Sequence, residues 1–204
     1  TAKTFTVTLS TSGSDATLGT EVTAMVVILP PAGATDSAKP TITITAPAKN
    51  ALINDNTPVT LTGSVKDNIG INYLLLSLDG GVTFTDIPMA VPGAAVATFS
   101  IPLTPSTGLN SIMVRATDFK NNLSTLTHTY TQLRTLTVGV TGPVNSGTLT
   151  AGFVPSSHKL VGKAYTITAT PKAGYVFNGW TANNLTGTGI TPAAAELPAL
   201  TFTL

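Results

Sequence analysis

The stretch Pro40-Thr41-Ile42-Thr43-Ile44-Thr45-Ala46-Pro47 alternates one aliphatic residue with one threonine between two prolines. Successive side chains of a β-strand point to opposite faces of a sheet, so this period of two predicts a strand with one buried face and one solvated face. Threonine suits the solvated face because it is β-branched and carries a hydroxyl without a charge. The same alternation recurs at 4–9, 59–65 and 166–170. We therefore expect an all-β protein.

The composition agrees with this expectation. Threonine accounts for 39 of the 204 residues, hydrophobic residues for 42% and charged residues for only 9%. Soluble domains usually carry about 25% charged residues, so this chain has enough apolar side chains for a core but an unusually uncharged surface. Its 14 prolines and 18 glycines interrupt the alternating runs at short intervals. This spacing predicts tandem small β-domains.

The distribution of these signals divides the chain into segments. Pro30 and Pro31 begin a stretch of small residues that continues to Pro40, which indicates an extended linker at 31–39. Residues 1–30 contain two candidate strands, 3–10 and 21–29, and an isolated hairpin is marginally stable in water. We therefore expect 1–30 to be a partial or strand-donating hairpin that needs a partner. Two β-domains are predicted after the linker, at 40–132 and 133–204.

The segment 40–132 carries seven predicted strands, enough for an antiparallel sandwich of about 90 residues. These are 41–46, 58–66, 71–78, 82–87, 95–101, 110–117 and 124–131.

This segment also resembles bacterial immunoglobulin-like repeats, the tandem modules of large surface proteins. The resemblance implies an immunoglobulin-like sandwich in a secreted or cell-surface protein. At the position where the family usually has a glycine before its final asparagine, this chain has Asn121, which tolerates a left-handed turn. The matching pieces are 40–47, Leu61-Thr62-Gly63-Ser64-Val65-Lys66-Asp67, Ser77-Leu78-Asp79-Gly80-Gly81, Gly108-Leu109-Asn110-Ser111-Ile112-Met113-Val114-Arg115-Ala116-Thr117-Asp118 and Asn121-Asn122.

Two further resemblances cover the ends of the chain. Residues 134–204 resemble divergent internalin-type B-repeats through 136–138, 147–149, 163–171 and Gly174-Tyr175-Val176-Phe177-Asn178-Gly179-Trp180. That family continues into one more strand after its Thr-Phe-Thr element, so the resemblance implies that the last strand is absent here. Through Phe5-Thr6-Val7-Thr8-Leu9-Ser10 and Ala16-Thr17-Leu18-Gly19, residues 1–30 resemble the closing hairpin of a Calx-β-type domain.

Charge and hydropathy exclude several partners. Ten basic and nine acidic residues give a net charge of +1, which does not provide the basic surface that nucleic acids require. No apolar run approaches the roughly 18 residues of a membrane span, and no basic segment leads into an apolar stretch at Thr1, so we expect neither a membrane span nor a retained signal peptide in these residues. There is no cysteine to form a disulfide or ligate zinc.

Catalytic patterns are missing from the sequence. The only histidines are His128 and His158, and no nucleophile-elbow, zinc-protease, phosphate-loop or dinucleotide motif accompanies them. His128 is in phase with Leu126 and Tyr130, which predicts a packed or hydrogen-bonded strand residue, whereas His158 is predicted to be a solvated loop residue. We expect no enzyme activity, no catalytic or cofactor-binding residue and no cofactor.

Four turns rich in side-chain oxygens could either bind calcium or simply stabilise the turns themselves. They are Asp67-Asn68, Asp79-Gly80, Asp118 and Asn121-Asn122. Calcium takes six to eight oxygens, and nine acidic residues spread over the chain make convergence difficult. We therefore predict no metal site and assign these residues to turn formation, with calcium as the open alternative.

The aromatic cluster of Tyr175, Phe177 and Trp180 has two interpretations. It can be a sugar-stacking platform or part of the core, and the low aromatic content of 6% favours the core. Asn122 and Asn184 match the N-glycosylation pattern, whose occurrence by chance is expected in a chain rich in Thr and Asn. With glutamate only at positions 21 and 196, no internal isopeptide trio can be placed.

These observations predict a non-enzymatic structural module that builds an extracellular stalk, fibre or filament, with β-strand donation between subunits as one route of assembly. Self-association or neighbouring β-domains are the expected partners, because few lysines are available to protect sheet edges. The alternative is an adhesin or an accessory glycan-binding region of a large secreted protein, with a cell-surface glycan or protein as its ligand.

Overall fold

A computed structural model describes residues 35–181 and 197–204. This part of the chain contains thirteen strands and no helix, so the predicted all-β fold class is confirmed for it. No described segment could cross a membrane as an apolar helix. The strands are β1 (Thr41–Ala46), β2 (Leu52–Ile53), β3 (Val59–Lys66), β4 (Ile71–Ser77), β5 (Thr85–Asp86), β6 (Val96–Leu103), β7 (Gly108–Asp118), β8 (Leu123–Gln132), β9 (Arg134–Thr137), β10 (Gly147–Leu149), β11 (Ser156–Lys159), β12 (Ala164–Pro171) and β13 (Ala199–Thr203).

Strands β1 to β8 form two sheets that enclose one hydrophobic core. One sheet has the order β1-β3-β6 and the other has the order β2-β8-β7-β4-β5. All the pairings are antiparallel except that of β2 with β8. The alternation read from the sequence gives the inward faces directly, since Val59, Leu61 and Val65 are all buried. The complete set of buried core residues is Val59, Leu61, Val65, Ile71, Leu74, Leu76, Ile87, Ala97, Phe99, Ile112, Val114, Ala116 and Tyr130.

A second, smaller core lies among β9 to β13. Strands β10, β12 and β13 form one sheet, and β9 pairs with β11 in another. The buried side chains between them are Leu136, Phe153, Ile167, Leu200 and Phe202. Tyr165 packs edge-on against Phe153, with 6.3 Å between the ring centroids. Few large side chains are available, so each aromatic ring supplies much of the area that this core buries.

The predicted strand at 82–87 is wrong over most of its length, because only Thr85 and Asp86 pair with β4. The backbone N–H groups of Val82 and Thr83 donate instead to the carboxylate of Asp79. A side chain that binds backbone groups in this way competes with the sheet ladder.

Strand β2 was missed for a different reason. Its two residues have no alternation of their own, and their parallel pairing with Thr131 and Gln132 of β8 depends on the tertiary fold.

Other predictions fall outside the described residues. The candidate strands at 3–10 and 21–29, and the part of the linker before residue 35, belong to this group. Residues 35–39 form no strand.

Gly63 lies in the middle of β3, between Ile44 of β1 and Phe99 of β6. A Cβ at this position would overlap the carbonyl oxygen of Thr43 and the ring of Phe99. We expect Gly63→Ala to lower the free energy of unfolding by about 2 to 3 kcal/mol, because overpacking forces side chains or backbone to move.

Denaturant unfolding measures this change. Gly139→Ala is the matched control, because a Cβ there meets nothing within 4 Å. It should change the free energy of unfolding by less than about 1 kcal/mol. Equal effects of the two substitutions would contradict the packing around Gly63.

Candidate functional site

The two histidines do not form a catalytic pair. His128 is buried on β8, and its Nε2 lies 2.8 Å from the carbonyl oxygen of Pro47, which confirms the predicted hydrogen-bonded strand residue. His158 was predicted to be in a solvated loop, and this is wrong. It lies on β11 opposite Thr135, and 30% of its side chain is exposed. The polar run Ser156-Ser157-His158-Lys159 has no alternation, so only its pairing with β9 makes it a strand.

His158 is close to one carboxylate, that of Asp55 in the turn after β2. Its Nε2 lies 3.7 Å from Asp55 Oδ1. The same carboxylate accepts hydrogen bonds from Thr135 N at 2.7 Å and Thr135 Oγ1 at 2.6 Å. These two bonds are the main reason that the pKa of Asp55 is lowered. The contact connects the turn after β2 to β9, and the Thr135 hydroxyl donates to the carboxylate of Asp55, not to the imidazole, so the three groups are not arranged as a triad.

Three aspartates converge at one end of the first sandwich. Asp36 precedes β1, Asp67 follows β3, and Asp118 ends β7. One carboxylate oxygen from each lies within 4.8 Å of the others. Asp67 and Asp118 come from turns that the sequence marked as oxygen-rich, but Asp36 comes from the predicted linker and was not considered.

Each of the three aspartates uses one carboxylate oxygen to bind backbone N–H groups nearby. Asp67 Oδ1 accepts from the N–H groups of residues 69 and 70, both at 2.9 Å. Asp118 Oδ1 accepts from residues 120 and 122, at 2.7 and 2.8 Å. Asp36 Oδ1 accepts from Ala38 N at 3.1 Å. The predicted role of Asp67 and Asp118 in turn formation is therefore confirmed.

Two asparagines bind the segment before β1 to these turns. Asn68 Nδ2 donates to Asp36 Oδ1 at 3.1 Å, and this bond is the largest cause of the lowered pKa of Asp36. Asn122 Nδ2 donates both to the backbone oxygen of Asp36 at 3.1 Å and to Asp118 Oδ2 at 2.7 Å. The left-handed turn expected at Asn121 is present, with φ of 66°.

Asp79 belongs to a different site. Its carboxylate accepts hydrogen bonds from Ser77 Oγ, from the N–H groups of Val82 and Thr83, and from Thr83 Oγ1. These bonds within one loop hold the pKa of Asp79 far below its usual range, with those from Thr83 contributing most. Both oxygens are therefore already satisfied inside the β4–β5 loop.

Tyr175, Phe177 and Trp180 line a cavity of about 630 Å³ beside the second core, in the unit formed by β9 to β13. The rings of Phe177 and Trp180 are 5.5 Å apart, and Trp180 Nε1 donates to the carbonyl oxygen of Leu197 at 2.9 Å. Trp180 packs against the second core, as the core interpretation predicted. Tyr175 is 43% exposed, so that interpretation is wrong for this residue.

The two N-glycosylation matches and the two glutamates complete the residues singled out from the sequence. The side-chain amide of Asn122 is engaged in the bonds given above, whereas Asn184 lies beyond the described residues, as do both glutamates.

Comparison with known proteins identifies the domain types. Residues 40–169 match the bacterial Ig domain. The chain belongs to the bacterial Ig domain family. Residues 135–204 also match the divergent InlB B-repeat domain, so the order expected from the sequence is confirmed. Neither of these matches covers residues 1–30, so the Calx-β-type resemblance stays a prediction. No curated protein matches this bacterial Ig chain.

Two solved structures show a distant likeness to this bacterial Ig chain. A crystal structure of an engineered protein has 19% identity over 48% of this chain, with a TM-score of 0.36. The sulfane dehydrogenase SoxCD from Paracoccus pantotrophus has 19% identity over 42% of this chain, with a TM-score of 0.34. The matched regions are 21% and 23% of those two chains, so this chain spans about a fifth to a quarter of each.

The bonds made by Asp118 give a prediction for this bacterial Ig domain. We expect Asp118→Ala to lower the free energy of unfolding by about 2 to 4 kcal/mol, because three N–H donors at a completely buried side chain lose their acceptor. Thermal or denaturant unfolding measures the loss. Asp86→Ala, at an exposed carboxylate of β5, is the control and should stay within about 0.5 kcal/mol of the parent. Similar stability of both variants would show that the buried bonds contribute little.

Proposed function

We propose that this chain is a non-enzymatic structural module of a secreted or cell-surface protein, in which it builds part of a stalk, fibre or filament. The observation that carries the proposal is the succession of two separately cored β units in a chain that matches the bacterial Ig domain over 40–169 and the divergent InlB B-repeat over 135–204. Both domain types are typical of extracellular modules without catalysis. We place the units at 40–132 and 133–204, after a linker at 31–39.

Assembly by strand addition is the finer part of the proposal, and strand β6 is its acceptor. Among the described strands, β6 pairs only with β3, so one of its edges has no partner in that part of the chain. With eight residues, β6 is the longest strand in such a position. An unpaired edge offers a row of N–H and C=O groups to an incoming strand.

Natural sheets protect such an edge with charge, and β6 carries none. Its sequence, Val96-Ala97-Thr98-Phe99-Ser100-Ile101-Pro102-Leu103, contains no Lys, Arg, Asp or Glu. Pro102 lies near one end, opposite Thr60 of β3. Proline is tolerated in a strand where its missing N–H would face away from the neighbouring strand. Position 102 therefore faces the open edge of β6. The N–H groups along a strand point alternately to its two edges, so those of Ser100 and Thr98 face the same open edge as position 102.

We propose that the donated strand comes from residues 1–30 of a neighbouring copy. Phe5, Val7 and Leu9 alternate with threonines, a pattern that fits a strand added to a half-buried sheet. The low net charge of +1 imposes little repulsion between copies.

The edge can be blocked by a charge. We expect Ser100→Lys to weaken self-association about ten-fold or more, because lysine on an edge strand disfavours pairing with another strand. Sedimentation velocity at several protein concentrations measures the association constant. Deleting residues 1–10 should have the same effect.

Thr60→Lys is the matched control. It places the same charge on the same exposed face, but on the central strand β3. Self-association should therefore be unchanged in this variant. A parent chain that is monomeric at every concentration, or equal weakening by both lysines, would reject strand addition at β6.

A second candidate function is glycan binding, and the cavity of the second unit favours it. Tyr175, Phe177 and Trp180 all line this cavity. Aromatic faces that remain accessible can stack on the apolar faces of sugar rings, and the exposure of Tyr175 leaves such a face available.

A glycan array tests the second candidate. We expect Tyr175→Ala and Trp180→Ala to abolish any binding signal, because both remove a ring from the cavity. Tyr73→Ala is the control, since Tyr73 is an exposed tyrosine on β4 outside the cavity. No signal with the parent chain, or a signal unaffected by the two cavity variants, would exclude this function.

A further inference from the structure

We propose that Asp55 and His158 form a clamp between the two units, and that protonation of His158 tightens it. Asp55 lies in the turn after β2, in the unit of β1 to β8, whereas His158 lies on β11 of the second unit. Nε2 of His158 is 3.7 Å from Oδ1 of Asp55. Among the described residues, this is the single contact within 4.0 Å between an acidic and a basic side chain. The clamp does not depend on the function proposed above, because it concerns only how the two units are joined.

The joint itself is short and held at two successive positions. Only Leu133 separates β8 from β9. Its N–H group donates to the carbonyl oxygen of Ile53 at 2.7 Å, which extends the parallel pairing of β2 with β8 by one step. At the next step the acceptor is a side chain, because Asp55 binds the N–H group and the hydroxyl of Thr135 at 2.7 and 2.6 Å. These bonds restrain rotation of the second unit about Leu133.

Nε2 of His158 has no hydrogen-bond partner at this joint. The atom has almost no surface exposed to solvent, and 3.7 Å to Asp55 is too long for a hydrogen bond. A buried polar atom without a partner is destabilising. In the neutral imidazole this nitrogen carries either a lone pair, which the carboxylate repels, or an N–H group without a bonded acceptor. Protonation makes it a charged donor beside an anionic acceptor, so the two side chains attract each other more strongly.

The other charges near the joint do not compete for this contact. Lys159 and Arg134 pair with each other one position farther along the β9–β11 ladder. Successive side chains of a strand point to opposite faces, so both point away from the face that carries His158. Nζ of Lys159 donates to the carbonyl oxygen of Gly152 at 3.1 Å. Within the described ranges, no other basic side chain lies within 4.0 Å of the Asp55 carboxylate.

The clamp should be complete in mildly acidic solution. A histidine side chain gains its charge as the pH falls from about 8 to about 5, so the attraction is present below this range and is lost as the pH rises through it. The hydroxyl and the N–H group of Thr135 lower the pKa of Asp55. The contribution of Asp55 is therefore lost only when the pH falls below the ordinary aspartate range of about 4. Both charges are present together between about pH 4 and pH 6. The side chains are 30% and 29% exposed, so protons reach them without unfolding.

Hydrogen exchange of the Thr135 amide in the whole 204-residue chain tests the clamp, because this N–H group is bound by Asp55. We expect its protection factor, corrected for intrinsic exchange, to be about two- to five-fold higher at about pH 5.5 than at about pH 8, as for a partly exposed ion pair. The amide of Val114 in the first core reports unfolding of that unit and should not follow this change. Equal protection of Thr135 at the two pH values, or the same change at Val114, would overturn the proposal.

Two variants assign the effect to this pair of side chains. His158→Gln cannot be protonated, and Asp55→Asn keeps an acceptor oxygen for Thr135 without the charge, so we expect both to fold and to lose the dependence of Thr135 protection on pH. Asp86→Asn is the matched control, because it removes an exposed carboxylate on β5 and should retain that dependence. A dependence that survives in His158→Gln or in Asp55→Asn, or that disappears in Asp86→Asn, would overturn the proposal.

Residual dipolar couplings of the backbone amides measure the consequence for the joint. At about pH 5.5 we expect both units of the parent chain to share one alignment tensor, because the clamp holds them as one body. At about pH 8, and in Asp55→Asn at either pH, the second unit should show weaker alignment than the first. Units that align independently in the parent chain at about pH 5.5 would also overturn the proposal.

Discussion

Two sheets that each have one aliphatic face must bury those faces against each other. In this chain Leu61, Val65 and Phe99 of the three-stranded sheet belong to the same core as Ile112 and Val114 of the five-stranded sheet. Burying such side chains stabilises the fold by about 25 cal/mol per Å² of apolar surface. The opposite faces carry threonine, so the protein needs few charges to stay hydrated. Strand positions, turn positions and open edges all follow from this contact.

The turns illustrate that dependence. Once β3 and β7 occupy their places in the two sheets, the residues that end them lie at the same end of the sandwich. Asp67 and Asp118 bind the backbone of their own turns, and their remaining oxygens face each other and Asp36. A scaffold built from uncharged strands thus concentrates three of its nine acidic residues in one small volume. This concentration is the strongest chemical feature of the described residues.

Burial was predicted correctly from the sequence where the local residue pattern determines the environment of a side chain. The alternation in β1, β3 and β12 gave their buried faces, and the position of His128 gave its packed environment. The prediction of strands and burial from the sequence failed where residues distant in the chain determine them. The β11 strand around His158 exists because β9 lies beside it, and Tyr175 stays exposed although Trp180 in the same motif packs against the core.

The amino-acid sequence by itself determined the all-β class, because period-two alternation and turn residues are local properties that need no knowledge of the fold. The two domain types and their order came from the resemblance of sequence motifs to known families. The tertiary structure alone decided that Asp36 joins Asp67 and Asp118, that β6 has a neighbour on one side only in the described part of the chain, and that Asp55 reaches Thr135. Each of these depends on which strands become neighbours. That choice is made by burial of the whole core, to which residues far apart in the chain contribute together.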